Sequence, residues 1–442
     1  MAEIIKFLFN LIIKIFNKTL RKKIKLFVIL LLIFAQCLAN QSTEQSQTSI
    51  IPADTAWMMV SSALVLMMSL PGIALFYAGM TRKKNILSVI MLNFGAISVA
   101  SVLWIACGYS IAFGGENAFF GDFSKAFLSS LAVDMSSLAA PNIPESVYIM
   151  FQMTFAMISC AIITGSVVER VRFVPFMLFI ALWLVVVYAP TAHWVWSPVG
   201  FLANDGVLDY AGGTVVHINA GIAGLVGSLV LGARVGYKKE AMPPHNLVLT
   251  MLGISLLWVG WIGFNAGSAL GANAEAGMAL LVTHASAASG AITWLVCERI
   301  FSQKPSALGF CSGALCGLVA ITPAAGYVST LSAMFLGCIT CVFCFYFVAI
   351  LKPKMRLDDS LDAFGIHAIG GTISGILVAF FAKEGIEASL GAQVIGVLVT
   401  IVYSGVLSWV LFFVIDKLFT LRASSTDERI GLDISEHSER LC

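Results

Sequence analysis

Apolar residues run through this chain in long unbroken blocks, each closed by a short polar or basic loop. The alternation that barrel strands require is missing, so the blocks predict membrane-spanning helices, whose backbone groups are satisfied within each segment. About eleven blocks are long enough to cross a hydrocarbon layer of roughly 30 Å. They cover 55–80, 86–113, 145–168, 173–192, 211–232 and 246–269. The rest cover 276–300, 307–326, 329–351, 363–382 and 389–419.

The stretch ahead of the first block reads differently. Residues 1–25 are basic, Leu26–Phe34 is a short apolar core, and Cys37-Leu38-Ala39 supplies small residues. That order predicts a secretory signal, with an uncleaved amphipathic anchor as the alternative. The expected organisation is therefore 1–39 signal or anchor, 40–53 external lead-in, 54–421 membrane domain and 422–442 cytoplasmic tail.

Loop charge gives the orientation. Arg82, Lys83, Lys84, Arg170, Arg234 and Lys352 fall on one side, whereas the opposite loops carry only Lys125 and Lys383. The basic side is cytoplasmic by the positive-inside rule. The mature N-terminus is then outside and the tail inside, as the signal also requires.

Composition confirms the solvent. Hydrophobic residues make up 59% of the chain, charged residues 11%, and mean hydropathy is +0.92. A soluble domain carries about 25% charge. The net charge of +2 gives no reason to expect a nucleic-acid partner. The ten cysteines sit mostly in apolar runs, where a thiol acts as a small hydrophobe. Cys338, Cys341 and Cys344 have helical spacing but lack a fourth ligand for a thiolate metal site. No metal, cofactor, phosphate loop or nucleophile–base pair is expected, so an enzyme is rejected.

Two histidines inside spans stand out, because an ionisable group in a membrane is costly and functional by default. His217 lies in the fifth span and His367 in the tenth, each in a glycine-rich setting. Five spans per half is an odd number, so the second half enters from the opposite face as an inverted repeat of spans 1–5 and 6–10. Asp209 marks the outer end of span five, with His217 about 12 Å deeper; Asp362 marks the inner end of span ten, with His367 about 8 Å deeper. Both aspartates suit helix caps. The histidines approach the middle from opposite faces and are expected to be neighbours. His284, also placed inside a span, is expected to be buried and structural, and Glu169–Arg170 an intracellular ion pair.

The stretch Asp209–Gly224, DYAGGTVVHINAGIAG, resembles the signature of the ammonium transporter family, the Amt/Mep/Rh group. PGIALFYAGM (71–80), GWIGFNAGS (260–268), TPAAGY (322–327) and DAFGIHAIGG (362–371) are similar to its other motifs. The resemblance implies an all-α homotrimer in the bacterial inner membrane, with one narrow apolar pore per subunit. It implies ammonium recruitment by Phe151, Phe155, Trp196 and Ser268, and a gate of Phe155 over Phe264. Below the gate, twin histidines His217 and His367 would line the path for ammonia, with Asp209 organising the vestibule. The segment from Trp196 to Asp209 carries one residue more than the family's usual pattern. The tail resembles the family's regulatory C-terminus, with Ser438 in place of a glycine, and implies a PII-type signalling protein docking inside. A serine would tolerate a positive φ there poorly. The competing expectations are an ammonium sensor working with a separate partner, and a channel for another small solute such as urea.

Overall fold

The exterior of this bundle is apolar and much of its polar content is inside. Ile292, Val296, Phe335, Val402 and Trp409 face outward, while His217, Asn219, Asn265 and Asp359 are buried. A helix in lipid gains nothing by hiding leucine, so what distinguishes the interior is close packing and polar contact.

The computed structural model describes residues 50–301 and 304–440. The expected signal or anchor at 1–39, and the lead-in up to 49, lie outside the described residues. Among the described residues ten helices are long and apolar enough to cross a membrane. They are α1 (Pro52–Met80), α2 (Lys83–Phe113), α3 (Glu145–Val167), α4 (Phe173–Asn204) and α5 (Gly213–Leu231). After these come α6 (Leu247–Gly267), α7 (Ala274–Phe301), α9 (Thr330–Met355), α10 (Phe364–Phe381) and α11 (Leu390–Phe419).

Between α7 and α9 lies the shorter apolar helix α8 (Ala307–Ile321). The sequence predicted a span over 307–326, and the helix stops five residues sooner. The reason is tertiary. From Thr322 the chain turns to hold the approach to α5, with Ala211 N–H donating to Thr322 O (3.2 Å) and Tyr210 N–H to Pro323 O (3.1 Å). The fourth span departs in the other direction, because α4 breaks after Trp196 and adds the turn Phe201–Asn204. Outside the helices, a small hairpin pairs β1 (Ser136–Ser137) with β2 (Ala140–Pro144) in the loop between α2 and α3.

The packing pattern repeats between halves. Helix α2 packs on α3 and α4 as α7 packs on α8 and α9, and α5 lies against α3 as α10 lies against α8. The repeat extends to single bonds. Leu361 N–H donates to Gly165 O (3.0 Å) and Ser360 N–H to Ser166 O (3.5 Å). The end of α3 thus holds the approach to α10 as the end of α8 holds that to α5. The two meet at the centre, where the first turns of α5 pack on α10 and those of α10 on α5.

At the face that carries the basic loops, Glu169 and Arg170 do not pair with each other. Glu169 takes Arg82 (2.8 Å) and Arg234 (2.9 Å), while Arg170 reaches Asp358 (3.5 Å) and Ser360 (2.6 Å). Glu169 sits at φ 68°, past the end of α3, and adjacent side chains there diverge. Burial pushes its carboxyl up, but Arg234 and Arg82 outweigh that and hold it below the usual range.

The tail folds back onto this face as α12 (Ser425–Ile430) and α13 (Leu432–His437). Asp433 accepts the Ser88 N–H (2.7 Å), Glu436 the Phe173 N–H (3.0 Å), and Asn85 the Leu432 N–H (2.9 Å). Ser438 does occupy the left-handed region, at φ 58°.

Candidate functional site

From the end of the bundle opposite the basic loops, four layers follow one another. The first is a recess of ≈ 420 Å³, open solvent included, bordered by Phe151, Phe155, Trp196, Tyr210 and Ser268. All four residues expected to recruit ammonium are therefore together. Trp196 comes from the end of α4, where its indole N–H donates to Asp209 O (2.9 Å). The extra residue before Asp209 does not displace it. Ser268 caps α6 and gives its hydroxyl hydrogen to Phe264 O (2.9 Å). What it can turn toward the recess is lone pairs, which suit a ligand rich in N–H groups.

The recess is floored by rings. Phe155 lies on Phe264 with centroids 4.1 Å apart and planes 18° from parallel. Trp196 meets Phe155 edge-on at 5.5 Å, and Phe151 meets it at 4.9 Å. Both stacked rings are fully buried.

Below the rings stand the histidines. His217 lies 6.1 Å from the Phe264 centroid and 5.1 Å from that of His367. Their Nδ1 atoms are 3.2 Å apart, and both residues are buried. Each sits in a widened π-type turn, Gly213–Ile218 and Phe364–Ala368, at the start of its helix. On its other side, His217 stacks on Trp261 at 5.4 Å, and its Nε2 meets Thr322 Oγ1 at 3.3 Å. The last layer is a narrow apolar cavity of ≈ 10 Å³, room for about one water, lined by residues including Ile73, Tyr77, Ile158, Ile162 and His367.

Two carboxylates anchor the wide turns. Asp209 accepts from the N–H groups of Gly212 (3.0 Å), Gly213, Thr214 (2.9 Å) and Val215 (3.1 Å), and from the Thr214 hydroxyl. Helix starts leave such N–H groups without partners, and an anion there completes them. At the inner end the side chain that does this is Asp359. It accepts from Gly365 N–H (3.1 Å) and the Ser166 hydroxyl (2.6 Å). Asp362 instead forms an ion pair with Lys352, at a backbone φ of 61°. Asp359 was missed from sequence, although the signal was there. It precedes His367 by eight residues, as Asp209 precedes His217.

His284 is not buried; it lies on the outside of the bundle with its ring 5.4 Å from Trp258. Among the described residues no cluster of His, Cys, Asp and Glu could hold a metal ion.

Comparison with known proteins gives the family. A sequence profile described as the Ammonium Transporter Family matches residues 56–441. The chain is 44% identical over 406 residues to an ammonium transporter of Aquifex aeolicus, covering 89% of this chain and 94% of that one. It is 42% identical to an ammonium transporter of Bacillus subtilis, covering 88% and 98%. Among solved structures, Saccharomyces cerevisiae Mep2 superposes with a TM-score of 0.80 at 33% identity, covering 86% of this chain and 89% of that one. A sensor Amt protein superposes with a TM-score of 0.82 at 29% identity, covering 87% of this chain and 98% of that one.

Proposed function

The chain belongs to the ammonium transporter family, and from that premise we propose how its four layers conduct. Ammonium is recruited in the outer recess by the faces of Phe151, Phe155 and Trp196 and by the Ser268 oxygen. Each aromatic face attracts a cation by about 0.5–2 kcal/mol, depending on desolvation. That attraction alone does not separate ammonium from potassium, which is similar in size.

Separation comes below the rings, where an intact ion would be carried through an apolar passage at great cost. Ammonium can give its proton to a water of the open recess, as NH4+ + H2O → NH3 + H3O+, and pass the Phe155–Phe264 pair as neutral ammonia. A metal cation has no such option. The histidine pair gives the neutral molecule a polar stop halfway, without a fixed charge to trap it. The observation that carries this reading is the order of the layers: aromatic recess, stacked rings, paired imidazoles, apolar cavity.

Growth is the direct test. Cells lacking ammonium transporters, held on low ammonium at acidic pH, are rescued by this gene if the reading holds; failure of a correctly inserted protein to rescue would falsify it. Current and ammonia flux measured together in proteoliposomes decide whether the proton follows along the histidines: flux without charge excludes coupled movement.

The similarity to a sensor Amt protein favours one second reading, a receptor that binds ammonium and signals through a separate partner. Such a protein would bind ammonium in the recess yet show no flux in the same liposomes. We further propose a homotrimer in the inner membrane with the tail in the cytoplasm, where the docked α12–α13 segment and basic inner loops suit a PII-type partner. An amino-terminal signal at 1–39 is consistent with that orientation.

A further inference from the structure

The inverted repeat makes the two histidine helices alike in backbone but not in what touches their rings. Ala211 N–H meets Thr322 O as Leu361 N–H meets Gly165 O, and each donor lies two residues after its anchoring aspartate. Thr322 and Gly165 therefore occupy equivalent places in the two halves. One carries a hydroxyl. The other carries no side chain, and a Cβ there would fall 2.6 Å from the Tyr77 ring.

The Thr322 hydroxyl has one position left open. Its backbone N–H goes to Val319 O (3.2 Å), and its hydroxyl hydrogen goes to Leu318 O (2.8 Å). Its oxygen accepts the Trp261 indole N–H (2.9 Å), a group that can only donate. One lone pair remains, and His217 Nε2 stands 3.3 Å from it. A nitrogen facing a lone pair makes a bond only if it carries a hydrogen.

We propose that Thr322 sets the tautomers of the pair, as a positioning residue for the proposed conduction path on which this inference rests. With its hydrogen on Nε2, neutral His217 has a bare Nδ1. At 3.2 Å, His367 Nδ1 must then carry the hydrogen between them. That leaves His367 Nε2 as a bare acceptor at the inner cavity, where Gly165 offers nothing to occupy it. The pair has a direction: it hands an N–H toward Thr322 and presents a lone pair toward the inside. Ammonia arriving there is received through one of its own N–H groups.

The test reads tautomers without any flux. Solid-state NMR of full-length protein labelled with ¹⁵N-histidine in lipid bilayers distinguishes protonated from bare ring nitrogens, the pair being recognised by its Nδ1–Nδ1 contact. The expected wild-type pattern is His217 protonated at Nε2 and His367 at Nδ1. Thr322→Val keeps the shape and removes the oxygen, so the single pattern is lost to a mixture and ammonium uptake falls; Thr322→Ser restores both. Wild-type protein with His217 protonated at Nδ1 overturns the proposal. So does an unchanged pattern in folded Thr322→Val. If the valine variant does not fold, the wild-type and serine patterns still decide. A correct pattern in protein that conducts no ammonium sinks the transport reading and leaves this one standing.

Discussion

Gly221 crosses His367's helix so closely that a Cβ on it would stand 2.6 Å from the Ala368 amide nitrogen. On the reciprocal side, a Cβ on Gly371 would stand 2.8 Å from Gly213 O. The paired imidazoles meet because the backbones beside them nearly touch.

Gly221→Ala therefore forces the two wide turns apart. Backbone cannot yield as a side chain can, and overpacking of this kind costs about 1–3 kcal/mol. We expect a lower melting temperature in detergent, together with a larger loss of uptake than the stability change explains. Uptake per folded molecule equal to wild type would remove the link between this crossing and conduction.

Asp359 gives a pH signature. Burial pushes its carboxyl up to about 6, against the opposing pull of Lys352, whereas an unfolded aspartate titrates near ~3.9. The folded state thus holds this proton more tightly. Its stabilisation is complete below the unfolded value and fades as pH rises through about 6. In Asp359→Asn the decline of melting temperature between about pH 4 and pH 6 should flatten. An identical slope in both proteins would place the titration elsewhere.

Glu169 is the shared partner of Arg82 and Arg234. Removing one member of a buried ion network leaves the others uncompensated, at about 3–5 kcal/mol. Glu169→Ala should reduce the amount of folded protein recovered from membranes much more than Glu240→Ala, whose contact with Arg429 is exposed and long at 3.9 Å. Equal yields would show that the inner network contributes little to folding.

Selectivity is expected to reside with the paired histidines. His217→Ala and His367→Ala should make ammonium uptake sensitive to competing potassium, while His284→Ala on the outside of the bundle leaves it as in wild type. Potassium competition that is the same in all four proteins would move the filter away from the pair.

Ser268→Ala removes the one hydroxyl acceptor that the outer recess draws from α6. A hydrogen bond of about 1 kcal/mol corresponds to roughly a fivefold rise in the ammonium concentration for half-maximal uptake, with the maximal rate kept. A lowered maximal rate at unchanged affinity would assign Ser268 to the passage rather than to recruitment.

Much of this was legible in the chain because lipid demands long apolar blocks, and ten of the expected spans appear as helices long enough to cross. The twin histidines were legible too, since each is an isolated polar group within such a block. What escaped depended on contacts distant in sequence. Helix α8 ends at Ile321 because residues 322–323 hold the approach to α5, and only Pro323 hints at it locally. Asp362 drew attention by lying nearer the span, while the side chain that anchors the turn is Asp359. Glu169 and Arg170 are neighbours in sequence, but a left-handed residue at the helix end sends them to different partners. His284 shows the remaining difficulty: a weak polar signal in a span does not say which side of the helix it is on.

A floor of two face-to-face rings has no fixed bore. On the proposed path nothing passes Phe155 and Phe264 unless a ring turns aside, so the frequency of that swing would limit throughput. Traffic through such a turnstile should slow more steeply on cooling than traffic through an open hole of the same length.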